Sequence, residues 1–315
     1  MALCTVLLIC VVVYVALDWL LHLPKVTNYR RKYVVITGCD GGFNKLLALR
    51  LDALGFNVFA GCANKIGKDA LAEICSPHLK PALLDVTSGE SVQNFLNFVK
   101  GHLPADTGIW ALVNNASISG NIAPTELLTN EDYLKVLDVN LLGPVEMTRS
   151  FLTLIRKSRG RVVNLSSVNG RFGALFPPYS VSKSGIEALS NVLRQEVFRQ
   201  GISVSTIDPG AIKISEEHAD TVRTQKYLDK SEPETISLYG VDFVAKLKHI
   251  FLYFYENRTA NVNTVIDAYI HAITARIPRT RYVIGWDAKV ITQFLFHLPD
   301  FIADRLIRVA LRFAT

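Results

Sequence analysis

Between residues 33 and 208, short runs of apolar and β-branched residues alternate with longer amphipathic ones, and this alternation limits the fold more than any other feature of the chain. The apolar runs are YVVIT at 33–37, FNVFAG at 56–61, PALLD at 81–85, IWALVNN at 109–115, GRVVNLS at 160–166 and ISVSTID at 202–208. They are too continuous to have one wet face, as expected of strands covered on both sides. Helical periodicity fills the gaps at 42–54, 66–75, 88–101, 130–157 and 178–200, the third opening on a Thr87–Glu90 capping box. The pattern predicts an α/β fold, a doubly wound parallel sheet of six strands. Such sheets bind ligands beyond the carboxyl ends of their strands, where the strand order reverses. Gly38 to Gly42, Cys62, Asp85, Asn114, Ser166, Ser167, Pro209 and Gly210 fall there.

With 315 residues, half of them hydrophobic, the chain buries one large core, which gives one domain with extensions. The +6 formal charge is spread out. No run of Lys and Arg interleaved with aromatics marks a nucleic-acid groove, so nucleic acid is not an expected partner; a basic surface tolerates anionic lipid. The five cysteines show neither metal-ligand spacing nor the density of a stapled secreted fold, and read as reduced fillers with no metal.

Ala2 to Leu23 carries one charge, Asp18. The segment is long enough to span a bilayer, lacks the basic start of a cleavable signal, and is not Arg-rich like a mitochondrial presequence. Residues 1–24 are expected to be an uncleaved transmembrane anchor, the alternative being a hairpin buried in the bilayer. Lys25, Arg30, Arg31 and Lys32 follow at once, which places the body of the chain on the cytosolic side. The sequons at Asn115 and Asn164 fall at strand ends where a glycan would block folding, which agrees.

Two local patterns carry chemistry. In VVITGCDGGFNKLLALRL, a strand enters a turn with Gly38 and Gly42 and leaves in a helix; backbone N–H groups at a helix N-terminus suit a pyrophosphate. In YSVSK, Tyr179 and Lys183 stand four apart and share a helical face. A nearby ammonium is expected to lower the phenol pKa, so that the phenol exchanges a proton with a substrate hydroxyl or carbonyl. Ser167, twelve residues earlier, is placed to hydrogen-bond the reacting oxygen, and Asn140 is a polar residue on an otherwise apolar helical face.

These motifs, with LLDVT, WALVNNA, GRVVNLSS and ARIPRTRYVIGWDAK, resemble the short-chain dehydrogenase/reductase family from about residue 33 to 290. The likeness is to the membrane-associated branch that holds retinol, hydroxysteroid and D-3-hydroxybutyrate dehydrogenases. The resemblance implies hydride transfer between a nicotinamide and a carbinol carbon, in an endoplasmic reticulum membrane protein. By it, Tyr179 is the acid/base, Lys183 holds the nicotinamide ribose and tunes Tyr179, Ser167 polarises the substrate oxygen, and Asn140 anchors a water in the proton path. Thr37, Gly38, Gly42, Phe43, Asp85, Val86, Asn114, Pro209 and Gly210 border the cofactor, with Asp85 and Val86 at the adenine. Dimers or tetramers are usual in the family.

Two positions depart from the family pattern: Asn44 stands for the third glycine, and Ser117 for the glycine of NNAG. A modified but working site is the reading taken. For cofactor choice, Gly41 and Cys62-Ala63 offer no cation to a 2′-phosphate, Lys65 lies a little further on, and the second strand ends without an acid; the balance tilts to NAD over NADP. The domain is expected over 33–285, with a substrate lid over 211–260 whose IFLYFYENR is aromatic and apolar. Helices over 286–315 pack on the membrane or on the domain itself, with Arg305, Arg308 and Arg312 on one face and Phe301, Ile302, Leu306, Val309 and Phe313 largely elsewhere. A lipophilic steroid or retinoid is the expected substrate. The rivals are a mitochondrial 3-hydroxybutyrate-type dehydrogenase and a catalytically impaired membrane scaffold.

Overall fold

In the computed structural model the alternating runs become one parallel sheet; residues 2–171, 173, 176–212, 233–239, 260–286 and 288–313 are described. The strands are β1 (Tyr33–Thr37), β2 (Asn57–Cys62), β3 (Leu79–Leu83), β4 (Ala111–Asn114), β5 (Arg161–Leu165), β6 (Ser203–Pro209) and β7 (Arg281–Ile284). All pair in parallel, in the order β3-β2-β1-β4-β5-β6-β7. The order reverses between β1 and β4, the point at which sheets of this plan form a ligand crevice beyond the carboxyl ends of their strands.

Successive strand residues face opposite sides. Val34 and Ile36 therefore join one apolar layer with Leu47, Leu51 and Tyr269, while Val35 joins the other with Phe95, Met147 and Phe151. The first layer lies under α2 (Gly42–Ala53) and the helix of residues Val262–Thr274; the second under α4 (Gly89–His102) and α6 (Gly143–Ser158). Further helices among the described residues include α1 (Ala2–His22), α3 (Lys65–Ala72), α5 (Asn130–Leu137), α7 (Pro177–Val197) and α8 (Pro233–Tyr239); Val262–Thr274 is designated α9 and Asp300–Phe313 α10.

The sequence reading needs four corrections. A seventh strand, β7, was not expected, because it is short and opens on the polar Arg281 of IPRTRYVIG; as an edge strand it buries only alternate residues. The third strand begins at Leu79 rather than Pro81, and its Pro81 is tolerated because β3 is the opposite edge. The cap of α4 is Ser88, whose hydroxyl accepts from Ser91 N, while Thr87 turns back to Asp85. Finally, the single helix expected over 130–157 is broken by a π-helical turn at Asp138–Leu142. Pro144 has no N–H for the carbonyl four residues back, at Asn140, and Gly143 N donates to Asp138 O instead.

Among the described residues no helix is long and apolar enough to cross a membrane, so a spanning anchor is not shown. α1 is nonetheless one unbroken helix of 21 residues; Val12 and Val15 are more than half exposed, as are Leu17 and Trp19. Its last turn is docked on the domain. Asp18 pairs with Arg279 at 2.5 Å, the His22 carbonyl meets His271 Nε2 at 3.1 Å, and Val26 N donates to Thr274 O at 2.8 Å. The lone charge of the apolar segment is thus one of the contacts that fasten it.

At the opposite end of the sheet from the crevice, Arg161, 3% exposed, donates to the carbonyls of Ala272 and Ala275, each at 2.9 Å, and Trp110 Nε1 donates to Ile273 O at 2.9 Å. The C-terminus of α9 is closed this way, its carbonyls met by a cation as the helix dipole favours. Burial lowers the Arg161 pKa to about 10.

Candidate active site

The turn after β1 is built by close approach. Gly38 has φ +75°, and a Cβ there would lie 2.8 Å from Ala116 Cα, so only glycine fits. Gly42, with φ +57°, opens α2, and the N-cap of that helix, Gly41, brings no capping side chain. A Cβ at Gly41 would meet nothing within 4 Å. A left-handed turn, a helix N-terminus without a side-chain cap and open space beside it fit the diphosphate of a dinucleotide. Thr37 Oγ1 accepts from Asn115 N and Ala116 N, both at 3.0 Å, and so ties the ends of β1 and β4 across the crevice.

Several expected cofactor residues spend their side chains elsewhere. Phe43 is buried in the core against Tyr269, which leaves only its backbone for the turn. Asn114 donates inward to Asn164 Oδ1 at 2.8 Å and Thr148 Oγ1 at 3.2 Å, because β4 is an interior strand and this residue faces α6. Asp85 accepts from Thr87 N and Oγ1 at the exposed edge past β3, and Val86 is buried beside Gly143. Pro209 ends β6, and Gly210, just past it, donates its N–H to Ile284 O of β7 at 2.8 Å.

The chemistry-bearing residues converge on the N-terminal half of α7. Ser167 caps a short 3₁₀ turn, Val168–Gly170, accepting from Asn169 N at 3.2 Å, and its hydroxyl favours the ionised form of the Tyr179 phenol. Lys183, one turn on, is fully buried; its Nζ donates to Leu165 O at 2.9 Å and lies 5.4 Å from the centroid of the Tyr179 ring. Asn140, in the π turn, exchanges hydrogen bonds with Ile118, Oδ1 accepting from its N and Nδ2 donating to its O, each at 2.8 Å. Nδ2 also reaches Ser182 Oγ at 3.0 Å, and that hydroxyl donates to Tyr179 O at 2.7 Å. Ser182 therefore links Asn140 to the backbone of Tyr179, a role visible in YSVSK only once the π turn is known.

The electrostatics overturn one expectation. The Tyr179 pKa is raised, because burial outweighs the hydrogen bond from Ser167. Lys183 moves the other way: burial lowers it to about 7, against the pull of Asp208. An ammonium that is itself expensive to bury does not acidify the phenol here.

Sequence reasoning also missed a carboxylate in the turn and a buried ionic group. Asp40 accepts from Ala63 N and Asn64 N, each at 2.9 Å, and so holds the end of β2, where no acid was found in the strand itself. Arg281 of β7 pairs with both Glu187 of α7 and Asp208 of β6. Finding that group needed the unexpected β7. The sequon residues Asn115 and Asn164 are fully buried and engaged in hydrogen bonds. The expected lid, 211–260, lies outside the described residues except for 211, 212, α8 and 260, and IFLYFYENR is wholly outside them.

Known proteins share this plan. The short chain dehydrogenase family model matches residues 32–226. Human retinol dehydrogenase 16 is 42% identical over 300 residues, covering 93% of this chain and 94% of that protein. Human 17-beta-hydroxysteroid dehydrogenase type 6 is 39% identical over 296 residues, covering 93% of each. Among solved structures, a short-chain dehydrogenase from Streptomyces avermitilis aligns with TM-score 0.70 at 23% identity, over 88% of this chain and 95% of that one. A Burkholderia phymatum short chain dehydrogenase/reductase in complex with NAD aligns with TM-score 0.69 at 19% identity, over 86% and 94%; at such identities the likeness is one of fold. The chain belongs to the short-chain dehydrogenase family, as an oxidoreductase of CH–OH donors that takes a nicotinamide cofactor and a small-molecule substrate.

Proposed function

We propose that the protein interconverts a lipophilic secondary or allylic alcohol, of the steroid or retinoid class, with its ketone or aldehyde, using NAD in preference to NADP. The observation that carries the reading is the convergence of Ser167, at the carboxyl edge of β5, with Tyr179 and the buried Lys183, whose Nζ lies 5.4 Å from the centroid of the Tyr179 ring. Relatives named for retinol and 17-beta-hydroxysteroids, each matched over about nine-tenths of the chain, support the substrate class.

The Gly38–Gly42 turn and the start of α2 would hold the diphosphate of a nicotinamide dinucleotide, which would supply the hydride exchanged with the carbinol carbon. Ser167 Oγ hydrogen-bonds the substrate oxygen and keeps it against Tyr179. Reduction draws the phenol proton to the carbonyl oxygen; oxidation returns the hydroxyl proton to Tyr179. With its pKa raised by burial, Tyr179 holds its proton at neutral pH, which favours the donor role. Its use as a base needs the phenolate, the form that burial disfavours. Asn140, clamped by Ile118 and Ser182, holds the π turn beside Tyr179.

NAD preference is supported by Asp40. Its carboxylate sits at the end of β2, where it disfavours a 2′-phosphate. Membrane attachment, on the cytosolic face of the endoplasmic reticulum, is supported by the uncovered apolar side chains of α1. On α10, Phe301, Leu306 and Val309 are exposed, while Ala303 is buried. Residues 1–24 would anchor, 33–285 would catalyse, and 286–315 would meet lipid.

The test uses membranes carrying the full chain or its Tyr179→Phe variant, given NAD or NADP with retinols, hydroxysteroids and 3-hydroxybutyrate. Oxidation of a lipophilic alcohol by the wild type alone is expected. Turnover of 3-hydroxybutyrate only would move the substrate class, and equal turnover by the variant would remove Tyr179 from the chemistry.

A further inference from the structure

The third position of the glycine turn is where this chain breaks its family's pattern, and Asn44 there makes more hydrogen bonds than any other residue of the turn. Its Nδ2 donates back to Gly38 O at 2.8 Å, and its Oδ1 accepts from Asn115 Nδ2 at 2.7 Å. Asn115 is fully buried, and the far side of its amide is met by Tyr269 of α9, whose hydroxyl donates to Asn115 Oδ1 at 2.6 Å. Tyr269 is fully buried as well. A continuous line of side-chain hydrogen bonds thus runs from α9, through the end of β4, to the carbonyl of the first turn glycine.

The line acts on the backbone that meets a diphosphate. The peptide between Gly38 and Cys39 is held on both sides, its carbonyl by Asn44 and its N–H by Gly61 O at 2.8 Å. Gly38 is left-handed, a conformation glycine does not hold by itself. The end of β4 pressed against it is pinned by Thr37 and by Tyr269. The Asn44 amide points back to Gly38 and Asn115, and the space beside Gly41 stays open.

We propose that Asn44 is a positioning residue: a clasp that fixes the turn in its cofactor-binding form, so that the family's glycine at this position would weaken binding here rather than restore it. The proposal rests on the reading of the crevice as a nicotinamide dinucleotide site. In Asn44→Gly the buried Asn115 Nδ2 loses its partner, a cost that a buried donor bears in full, and the Gly38 carbonyl is released.

The experiment is NADH titration of the full-length chain in detergent, read by quenching of tryptophan fluorescence well below the melting temperature, for wild type, Asn44→Gly, Asn44→Ala, Tyr269→Phe and the Asn44→Ala/Tyr269→Phe double variant. Both Asn44 variants are expected to raise the Kd about tenfold; Asn44→Ala keeps the helix propensity and carries the test should the glycine variant not fold. Tyr269→Phe is expected to raise the Kd by a smaller factor, and the double variant to fall short of the product of the two effects, since one line of bonds serves both. A merely structural role would lower the melting temperatures and leave Kd unchanged, which overturns the proposal, as does equal or tighter binding by Asn44→Gly. Absence of quenching with the wild type would overturn the cofactor reading itself and the clasp with it.

Discussion

Lys183→Met separates the cost of burying the lysine from the value of its contacts. The folded chain lowers this lysine from 10.5 to about 7, a difference of ~3.5 units, or ~5 kcal/mol at most at ~1.4 kcal/mol per unit. A base depressed in this way is protonated in the unfolded chain and neutral in the folded one across the interval between the two pKa values. Folding there releases a proton, so stability rises with pH. Below about pH 7 both states hold the proton, and the slope from this residue vanishes. The useful window is about pH 7.5 to 8.5. Cys62, raised to about 12, and Cys39, also raised by burial, favour the folded state only until the unfolded thiols ionise, near 9. His271 is lowered and titrates on the acid side, and Asp208, raised by burial and by Glu187 but restrained by Arg281, has largely ionised. Across that single unit the wild type should gain about 1 kcal/mol, or roughly 2 °C in Tm for a chain of this size. The methionine variant should be flat. Its absolute stability is not diagnostic, because removing the ammonium also leaves the Leu165 carbonyl without its donor at 2.9 Å, a cost of about 1–3 kcal/mol. The assay is urea unfolding without cofactor, in one detergent, at closely spaced pH values. Parallel curves for the two proteins would refute the assignment of a lowered pKa to Lys183.

Other outcomes follow from the same geometry. Gly38→Ala forces a Cβ to within 2.8 Å of Ala116 Cα at φ +75°; a loss of about 2 kcal/mol or more in urea unfolding and of NADH quenching is expected. Arg161→Met leaves the Ala272 and Ala275 carbonyls without their donor and should cost about 3 kcal/mol in urea unfolding while leaving the Kd for NADH unchanged. Asp40→Ser removes the carboxylate at the end of β2 and should shift the ratio of NAD to NADP affinity toward NADP by about tenfold, the equivalent of ~1.4 kcal/mol. Asp18→Leu removes the ion pair with Arg279; proteolysis in the segment between α1 and β1, 23–32, should quicken while turnover in detergent persists.

Six of the seven strands were legible because buried parallel strands write themselves as unbroken apolar runs. β7 was illegible for the complementary reason: an edge strand buries alternate residues only, and its first residue, Arg281, is there to meet Glu187 and Asp208. The π turn at Asp138–Leu142 leaves its trace as Gly143-Pro144, yet helical periodicity runs across it undisturbed, so the displacement of Asn140 needs coordinates. The same limit holds for the site. Types and spacing put Ser167, Tyr179 and Lys183 in one neighbourhood, since a strand end and one helical turn fix it. They gave the wrong sign for Tyr179, because spacing reports that an ammonium is near and is blind to the burial of both groups, which raises one pKa and lowers the other. Asn44 shows where the limit lies. As a letter it is a missing glycine; the bonds to Gly38 and Asn115 arise from three segments, the turn after β1, the first turn of α2 and the end of β4. A residue whose partners are assembled by the fold can be flagged by sequence as a departure, but whether the departure harms or serves depends on the shape of the buried space around it.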